Sequence, residues 1–292
     1  MKRPMPVVTI LVLASLSSVA LAAAPIPKAI YTDPLPDKAH PARMEVVHIP
    51  SGDVKVNGVV YVASGAGAHP TMIFFHGWPG NEKNLDLAQA VRRAGWNVLT
   101  LNYRGSWGSP GNFRFMQNLG DADAALTFVR DPANAAKLGI DTKRIVIAGH
   151  SMGGWVTAMT AEHDKAIIGA ILISAANMGK VGTIPRAELV ALSADSMESL
   201  AGVSAESIAD DLAQNAAVSD WNTNAASLAA TPLLALTSDD GLAPQVDALA
   251  TAIKAKGGNK VTAVHVATDH SWSDKRIRLQ SEVINWLAAL PK

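Results

Sequence analysis

The stretch Arg144-Ile145-Val146-Ile147-Ala148-Gly149-His150-Ser151-Met152-Gly153-Gly154 decides the architecture. Its first five residues are a short apolar run, rich in β-branched side chains, of the kind a fully buried strand requires. A helical pattern starts directly afterwards, with Met152, Trp155, Val156 and Met159 on one face. Between the two lies G-x-S-x-G in strand-turn-helix context. A serine at the apex of so sharp a turn leaves no room for side chains two positions before and two after it, because their Cβ atoms would strike the neighbouring strand and helix. Gly149 and Gly153 stand there. The turn lifts the Ser151 hydroxyl out of the sheet and aims the first unpaired N–H groups of the helix at whatever binds beside it. The competing reading is a serine that merely caps the helix; the buried strand before it and the amphipathic helix after it argue against a chance match.

Outward from this point, β-rich runs alternate with helical patterns. Strands are expected at residues 44–48, 58–63, 71–75, 97–102, 144–148, 167–174, 233–237 and 261–267. The first two read as an antiparallel start, and the last three are apolar enough to be covered on both faces. Helices are expected at 85–94, 120–130, 152–163, 244–256 and 274–290. Such alternation predicts one α/β domain over residues 44–292, built on a mostly parallel, right-handed doubly wound sheet of about eight strands. Residues 176–230 break the rhythm, being rich in Ala and Ser and carrying Glu188, Asp195, Glu198, Glu206, Asp210 and Asp211. This interval reads as a small helical insertion, either a lid over a pocket or a longer exposed connection.

A hydroxyl is a poor nucleophile until a base accepts its proton, and the base must be oriented by a carboxylate. Of the eight histidines, His270 lies beyond the last predicted strand, in the polar loop 268–273, where its ring could reach the C-terminal edge of the sheet. His265 falls within a strand and reads as a sheet residue, and His76 as a structural hydrogen-bonding residue. The carboxylate should follow strand 233–237. Asp240, four residues before Pro244, is the choice there, and its neighbour Asp239 reads as a turn or capping residue. Negative charge developing on an attacked carbonyl oxygen needs two preorganised donors. The backbone N–H of Met152 supplies one, and that of Trp78, in the turn His76-Gly77-Trp78-Pro79-Gly80, supplies the other, since Pro79 has no donor. Trp107, in the glycine-rich loop 105–111, reads either as the rim of an acyl pocket or as a docked surface tryptophan; Tyr103 and His150 are further pocket candidates. That loop matches neither G-x-G-x-x-G nor a P-loop, and no metal-ligand spacing occurs, so no cofactor and no metal is expected.

Taken together, these residues are similar to the alpha/beta-hydrolase superfamily, whose nucleophile-acid-base order is that of Ser151, Asp240 and His270. The resemblance covers about residues 46–290. Ile140-Asp141 before Arg144-Ile145, the run Gly149-His150-Ser151-Met152-Gly153-Gly154 and Tyr103-Arg104-Gly105-Ser106 resemble prolyl oligopeptidase-type catalytic domains and dienelactone-hydrolase-like esterases. The resemblance implies an alpha/beta-hydrolase fold with a small lid and a serine hydrolase acting on a small acyl ester or short peptide. Two departures shift the expectation from peptidase to carboxylesterase. No propeller-length region precedes the domain, and His76-Gly77-Trp78 stands where those peptidases carry an oxyanion-stabilising tyrosine. Dienelactone hydrolases use a cysteine nucleophile, and this chain has no Cys, so only fold and general reaction carry over from them. A non-catalytic binding protein on the same scaffold is the rival from another class.

Composition sets the outer bounds. The 292 residues include 25 Lys+Arg and 25 Asp+Glu, giving a net charge of +0 without the counterion-release drive of nucleic-acid binding. Hydrophobic residues at 49% suffice for a large core. Zero Cys excludes disulfides, thiolate nucleophiles and iron–sulfur clusters. Lys2 and Arg3 precede an apolar run over residues 7–24 that closes on Ala20-Leu21-Ala22, the pattern of an export signal. The alternative is a retained membrane anchor, against which stand Ser15, Ser17 and Ser18 inside the run. Cleavage after Ala22 would leave a slightly acidic chain with a Pro-rich leader at 23–43 and no membrane span, in the periplasm or outside the cell.

Overall fold

The computed structural model describes residues 25–291, so the export signal read at 1–22 lies outside the described residues. The apolar runs form β1 (Arg43–Ser51), β2 (Val54–Val62), β3 (His69–Phe75), β4 (Asn97–Leu101), β5 (Ile140–His150), β6 (Gly169–Ile173), β7 (Leu233–Thr237) and β8 (Val261–His265). They pair in one eight-stranded sheet in the order β1-β2-β4-β3-β5-β6-β7-β8. β1 pairs with β2 and β2 with β4 antiparallel, and every other pair is parallel. β3 and β5 are therefore central neighbours, and their C-terminal ends lie side by side, Phe75 opposite Gly149. That register is what brings the turn after β3 to the turn after β5.

Side chains alternate across the sheet. Ile73, Phe75, Ile145 and Ile147 pack toward helices Phe115–Arg130, Met152–His163 and Ala243–Ala255, whereas Met72, Phe74, Val146 and Ala148 pack toward helices Leu85–Arg93 and Arg276–Ala289. Each such large side chain, fully enclosed, contributes about 1.5–3 kcal/mol over its exposed state. Residues 25–30 lie against the second layer, where Arg93 donates to the carbonyls of Ala29 and Ile30 and Asn285 donates to that of Pro25. Among the described residues no helix is long and apolar enough to cross a membrane.

Three expectations change. β8 pairs with β7 alone and is an edge strand, with Thr262, Ala263 and His265 exposed, so it is not covered on both faces. Helix Met152–His163 is buried on every side from Met152 to Ala161 and has no polar face. Its outer surface is covered by the 176–230 segment, which folds into helices Met178–Val181, Arg186–Ala194 and Ala205–Gln214, a 3-10 turn at Trp221–Asn224 and the short helix Ala225–Leu228. Leu189, Ile208, Leu212, Trp221 and Leu228 of that segment enter the same core as Trp155, and the Trp155 indole donates to the Ser219 carbonyl at 2.8 Å. The insertion is thus a packed part of the body and not an exposed connection.

Candidate active site

Ser151 sits at φ 57°, ψ −122°, a conformation that costs a non-glycine residue about 1–3 kcal/mol and persists only where its surroundings enforce it. The enforcement is visible. Its N–H donates to the Ile173 carbonyl of β6 at 3.0 Å, and its own carbonyl accepts from Gly154 and Ala176. A Cβ at Gly149 would lie 2.0 Å from the Gly153 carbonyl oxygen, one at Gly153 would lie 2.0 Å from that of Phe75, and one at Gly154 would lie 2.3 Å from Ala175 Cβ. Three glycines therefore let β3, β5, β6 and the helix meet under the serine.

His270 and Asp240 come together from two loops. The ring Nδ1–H donates to Asp240 Oδ2 at 2.8 Å, which leaves Nε2 as the proton acceptor. The Asp240 side chain is 4% exposed, and its Oδ1 accepts from the Leu242 N–H at 2.9 Å. Burial alone would raise its pKa; the His270 bond, the Leu242 N–H and Ser238 outweigh it and hold the carboxyl down at about 2. Asp239 instead faces the sheet edge, where its carboxylate meets His265 Nε2 at 3.0 Å on the exposed surface. His265 lies in β8, as read from the sequence.

Several residues that hold the His270 loop escaped sequence reasoning. Trp272, fully buried at φ 58°, donates its indole N–H to Ser174 Oγ at 3.0 Å, and Ser174 Oγ bonds Ser238 Oγ at 2.7 Å. Asp239 N–H donates to the Thr268 carbonyl, and Arg276 to that of Ser271. One signal was available: a tryptophan two places after a histidine in an otherwise polar loop needs somewhere to bury its ring.

The turn after β3 passes directly beside the serine. A Cβ on Gly77 would stand 3.0 Å from Ser151 Cβ and 3.5 Å from its Oγ, so the Trp78 N–H follows within that turn, and Met152 opens the helix on the other side. His76 is 3% exposed; its Nδ1–H donates to the Gly77 carbonyl at 2.7 Å and its own carbonyl accepts from Tyr103 Oη at 3.2 Å. Burial lowers the His76 pKa to about 4, against the Gly77 bond that raises it, so the ring is a neutral structural group. Pro79 carbonyl accepts from the Trp107 indole at 2.7 Å and from Ser199 Oγ of the insertion at 3.2 Å.

Of the three pocket candidates, two are enclosed. Tyr103 is 0% exposed and occupied with His76, and His150 is 4% exposed and packed against His270, so neither presents a surface to a ligand. Trp107 is 38% exposed and lines a cavity of about 480 Å³ with Asn81, Gly105, Glu198, Ser199 and Leu200. An imidazole backed by a carboxylate, a hydroxyl on a strained turn and two main-chain N–H groups nearby form a set that can move a proton and stabilise an oxyanion.

A mostly parallel eight-stranded sheet with helices on both faces and a glycine-bounded serine turn after β5 defines the alpha/beta-hydrolase class. Residues 72–285 match the sequence profile of the Alpha/beta hydrolase family, and the chain belongs to that family. It is 31% identical over 106 residues to the alpha/beta hydrolase domain-containing protein WAV2 of Arabidopsis thaliana, a match covering 36% of this chain and 33% of that relative's length. Solved structures with the same fold include the Pyrococcus horikoshii acylaminoacyl peptidase (TM-score 0.64, 17% identity, 85% of this chain and 42% of that one). They also include the carboxylesterase EstE1 from a metagenomic library (TM-score 0.64, 23% identity, 91% and 93%) and an esterase of Pyrobaculum calidifontis (TM-score 0.63, 21% identity, 87% and 88%). At such identities the likeness is one of fold.

Proposed function

We propose that this protein is an exported serine hydrolase that cleaves carboxylic esters through an acyl-enzyme. The observation that carries the reading is the pairing of His270 Nδ1 with the enclosed Asp240 carboxylate at 2.8 Å, in a residue whose carbonyl meets His150, the neighbour of a serine held at positive φ. In this mechanism Ser151 Oγ attacks the ester carbonyl carbon while His270 Nε2 takes its proton. The oxyanion forms against the Met152 and Trp78 N–H groups, and the C–O bond to the leaving alcohol breaks as His270 returns the proton to it. Water, deprotonated by the same ring, attacks the acyl carbon, and Ser151 leaves with that proton. Asp240 orients the ring and stabilises the imidazolium that forms transiently. The 176–230 insertion is joined through Ser199 to the Pro79 carbonyl, in the turn that carries the Trp78 N–H.

Ser151→Ala decides the reading. Hydrolysis of p-nitrophenyl acetate should fall by several orders of magnitude, since removing one member of such a triad leaves only residual catalysis. A fluorophosphonate probe should label the parent and not the variant; activity surviving in Ser151→Ala would overturn the assignment, and an unlabelled parent would point to a binding protein. The acylaminoacyl peptidase among the structural neighbours supports a second reading, a peptidase using the same residues. Matched ester and aminoacyl-amide substrates separate the two, because the amide needs protonation of a poorer leaving group. Export is tested by fractionating cells that express the full chain.

A further inference from the structure

We infer that His150 is a positioning residue that holds the catalytic base by its backbone, tying the position before the nucleophile to the base itself. The inference rests on the triad reading given above. His150 is the last residue of β5 and is 4% exposed, a place where an apolar side chain would fill the same space without desolvating two ring nitrogens. Its Nδ1 is buried without a hydrogen-bond partner among the described residues, which by itself is a cost. Its Nε2 meets the carbonyl oxygen of His270 at 2.9 Å across 120 positions of sequence. A carbonyl can only accept, so Nε2 carries the proton and the tautomer is fixed.

Two restraints therefore act on His270 from different strands. Asp240, in the loop after β7, holds the ring through Nδ1, and His150, on central β5, holds the main chain through the carbonyl. The second restraint starts one residue from Ser151, so the separation of nucleophile and base is bridged by a single side chain. The His150 and His270 rings lie 4.6 Å apart at 49°, close enough that a second cation would oppose the imidazolium formed during turnover. The ionisable groups facing His150 are His270, Asp240 and Arg276; burial first, then the His270 ring, lowers the His150 pKa to about 4, which keeps it uncharged at neutral pH. The loop has other anchors in Trp272–Ser174 and Asp239–Thr268, so loss of this one bond displaces the base without unfolding the loop.

The test uses His150→Phe, which keeps a planar ring without a donor, and His150→Gln, which keeps a side-chain N–H, in the full chain beside Ser151→Ala and His270→Ala. With p-nitrophenyl acetate, His150→Phe should lower kcat about 10- to 100-fold with KM within about twofold, as a displacement of roughly 1 Å at a reacting group would. The rate of fluorophosphonate labelling should fall in step, and His150→Gln should regain most of the loss. Nitrogen NMR of the parent protein should show His150 as the Nε2–H tautomer, a readout needing no turnover and no variant to fold. Parental kcat in the Phe variant, equal impairment of Phe and Gln, or an Nδ1–H tautomer would each overturn the assignment. Activity retained by Ser151→Ala or His270→Ala would overturn the triad instead, while the tautomer would still judge the His150 bond.

Discussion

Replacing Gly153 by Ala puts a methyl carbon 2.0 Å from the Phe75 carbonyl oxygen, 2.6 Å from the Phe75 carbonyl carbon and 2.7 Å from the His76 oxygen. Ordinary contact begins at 3.4 Å, so helix and β3 must separate by about 1.4 Å, and no rotamer change relieves a clash made wholly with backbone. The atoms that must move are the ones that matter. The end of β3 carries the Gly77–Trp78 turn, and the start of the helix carries Ser151 and Met152, so separation parts the two proposed oxyanion donors from each other. Overpacking of this kind costs about 1–3 kcal/mol of stability, and a misplacement of roughly 1 Å costs about 10²-fold in rate. Gly153→Ala should therefore lower kcat/KM for p-nitrophenyl acetate at least about 100-fold and the thermal midpoint by about 2–12 °C. Gly120→Ala is the control. It lies inside helix Phe115–Arg130, its Cβ would meet only the far end of the Arg104 side chain at 3.2 Å, and the better helix former should leave activity unchanged. A Gly153→Ala protein with parental kcat/KM and parental melting would refute the steric account of the turn.

Asp240→Asn should reduce kcat by about three to four orders of magnitude, because the amide offers the ring a donor as well as an acceptor and no charge to balance the imidazolium; Asp239→Asn, which touches only exposed His265, should stay within about threefold, and equal losses in the two would refute the assignment. Stability should depend on pH with a sign set by the buried rings: His76 and His150 titrate near 4 when folded against an ordinary 6.5, so the unfolded chain binds more protons between those values. The free energy of unfolding should then fall as pH drops from 6.5 to 4, by up to about 1.4 kcal/mol per pH unit for each ring. Denaturant unfolding of His150→Gln across that window should show a slope shallower by about one ring, and an unchanged slope would count against burial as the cause. Asp240 acts lower down: its stabilisation, about 2 kcal/mol, is present above 3.8 and is lost as pH falls from 3.8 toward 2.

What could be read from the sequence was what neighbouring residues encode. The strand, the two glycines and the helix around Ser151 lie within about twenty positions, and each constrains the next, so that region was legible down to single residues. The strands were legible as apolar runs, but composition does not say what covers them, and Val261-Thr262-Ala263-Val264 reads the same at an edge as in a centre. The sequence places Met152, Trp155, Val156 and Met159 on one face of helix Met152–His163, yet Thr157 is buried as well, its hydroxyl bonded to the Gly153 carbonyl of its own helix. Helix Pro132–Leu138 carried its signals, an Asp131 cap, Pro132 at its start and a left-handed Gly139 at its end, over too few residues for a periodicity to show. Trp272 signals in the sequence that it must bury its ring, but its Ser174–Ser238 partners are not legible, since Ser174 lies 98 positions from it and 64 from Ser238 and each serine is unremarkable alone. Tyr103 and His150 read as pocket candidates but are buried, because proximity in sequence to the site does not fix which way a side chain turns.

The same reasoning locates where this framework leaves freedom. Ser151 is fixed by β5, β6 and three glycines, and His270 by bonds to Asp240 and His150, so neither can adjust to a new substrate without loss. The Trp78 turn is held differently: the carbonyl of the next residue, Pro79, accepts from Trp107 in the 105–111 loop and from Ser199 in the insertion, and the Trp107 N–H in turn donates to the Ser199 carbonyl. The two segments that line the cavity beside Trp107 are thereby the two that position the turn bearing a proposed oxyanion donor. A change in either segment alters that cavity and the aim of the Trp78 N–H together, so that, if substrate occupies the cavity, selectivity is coupled to rate.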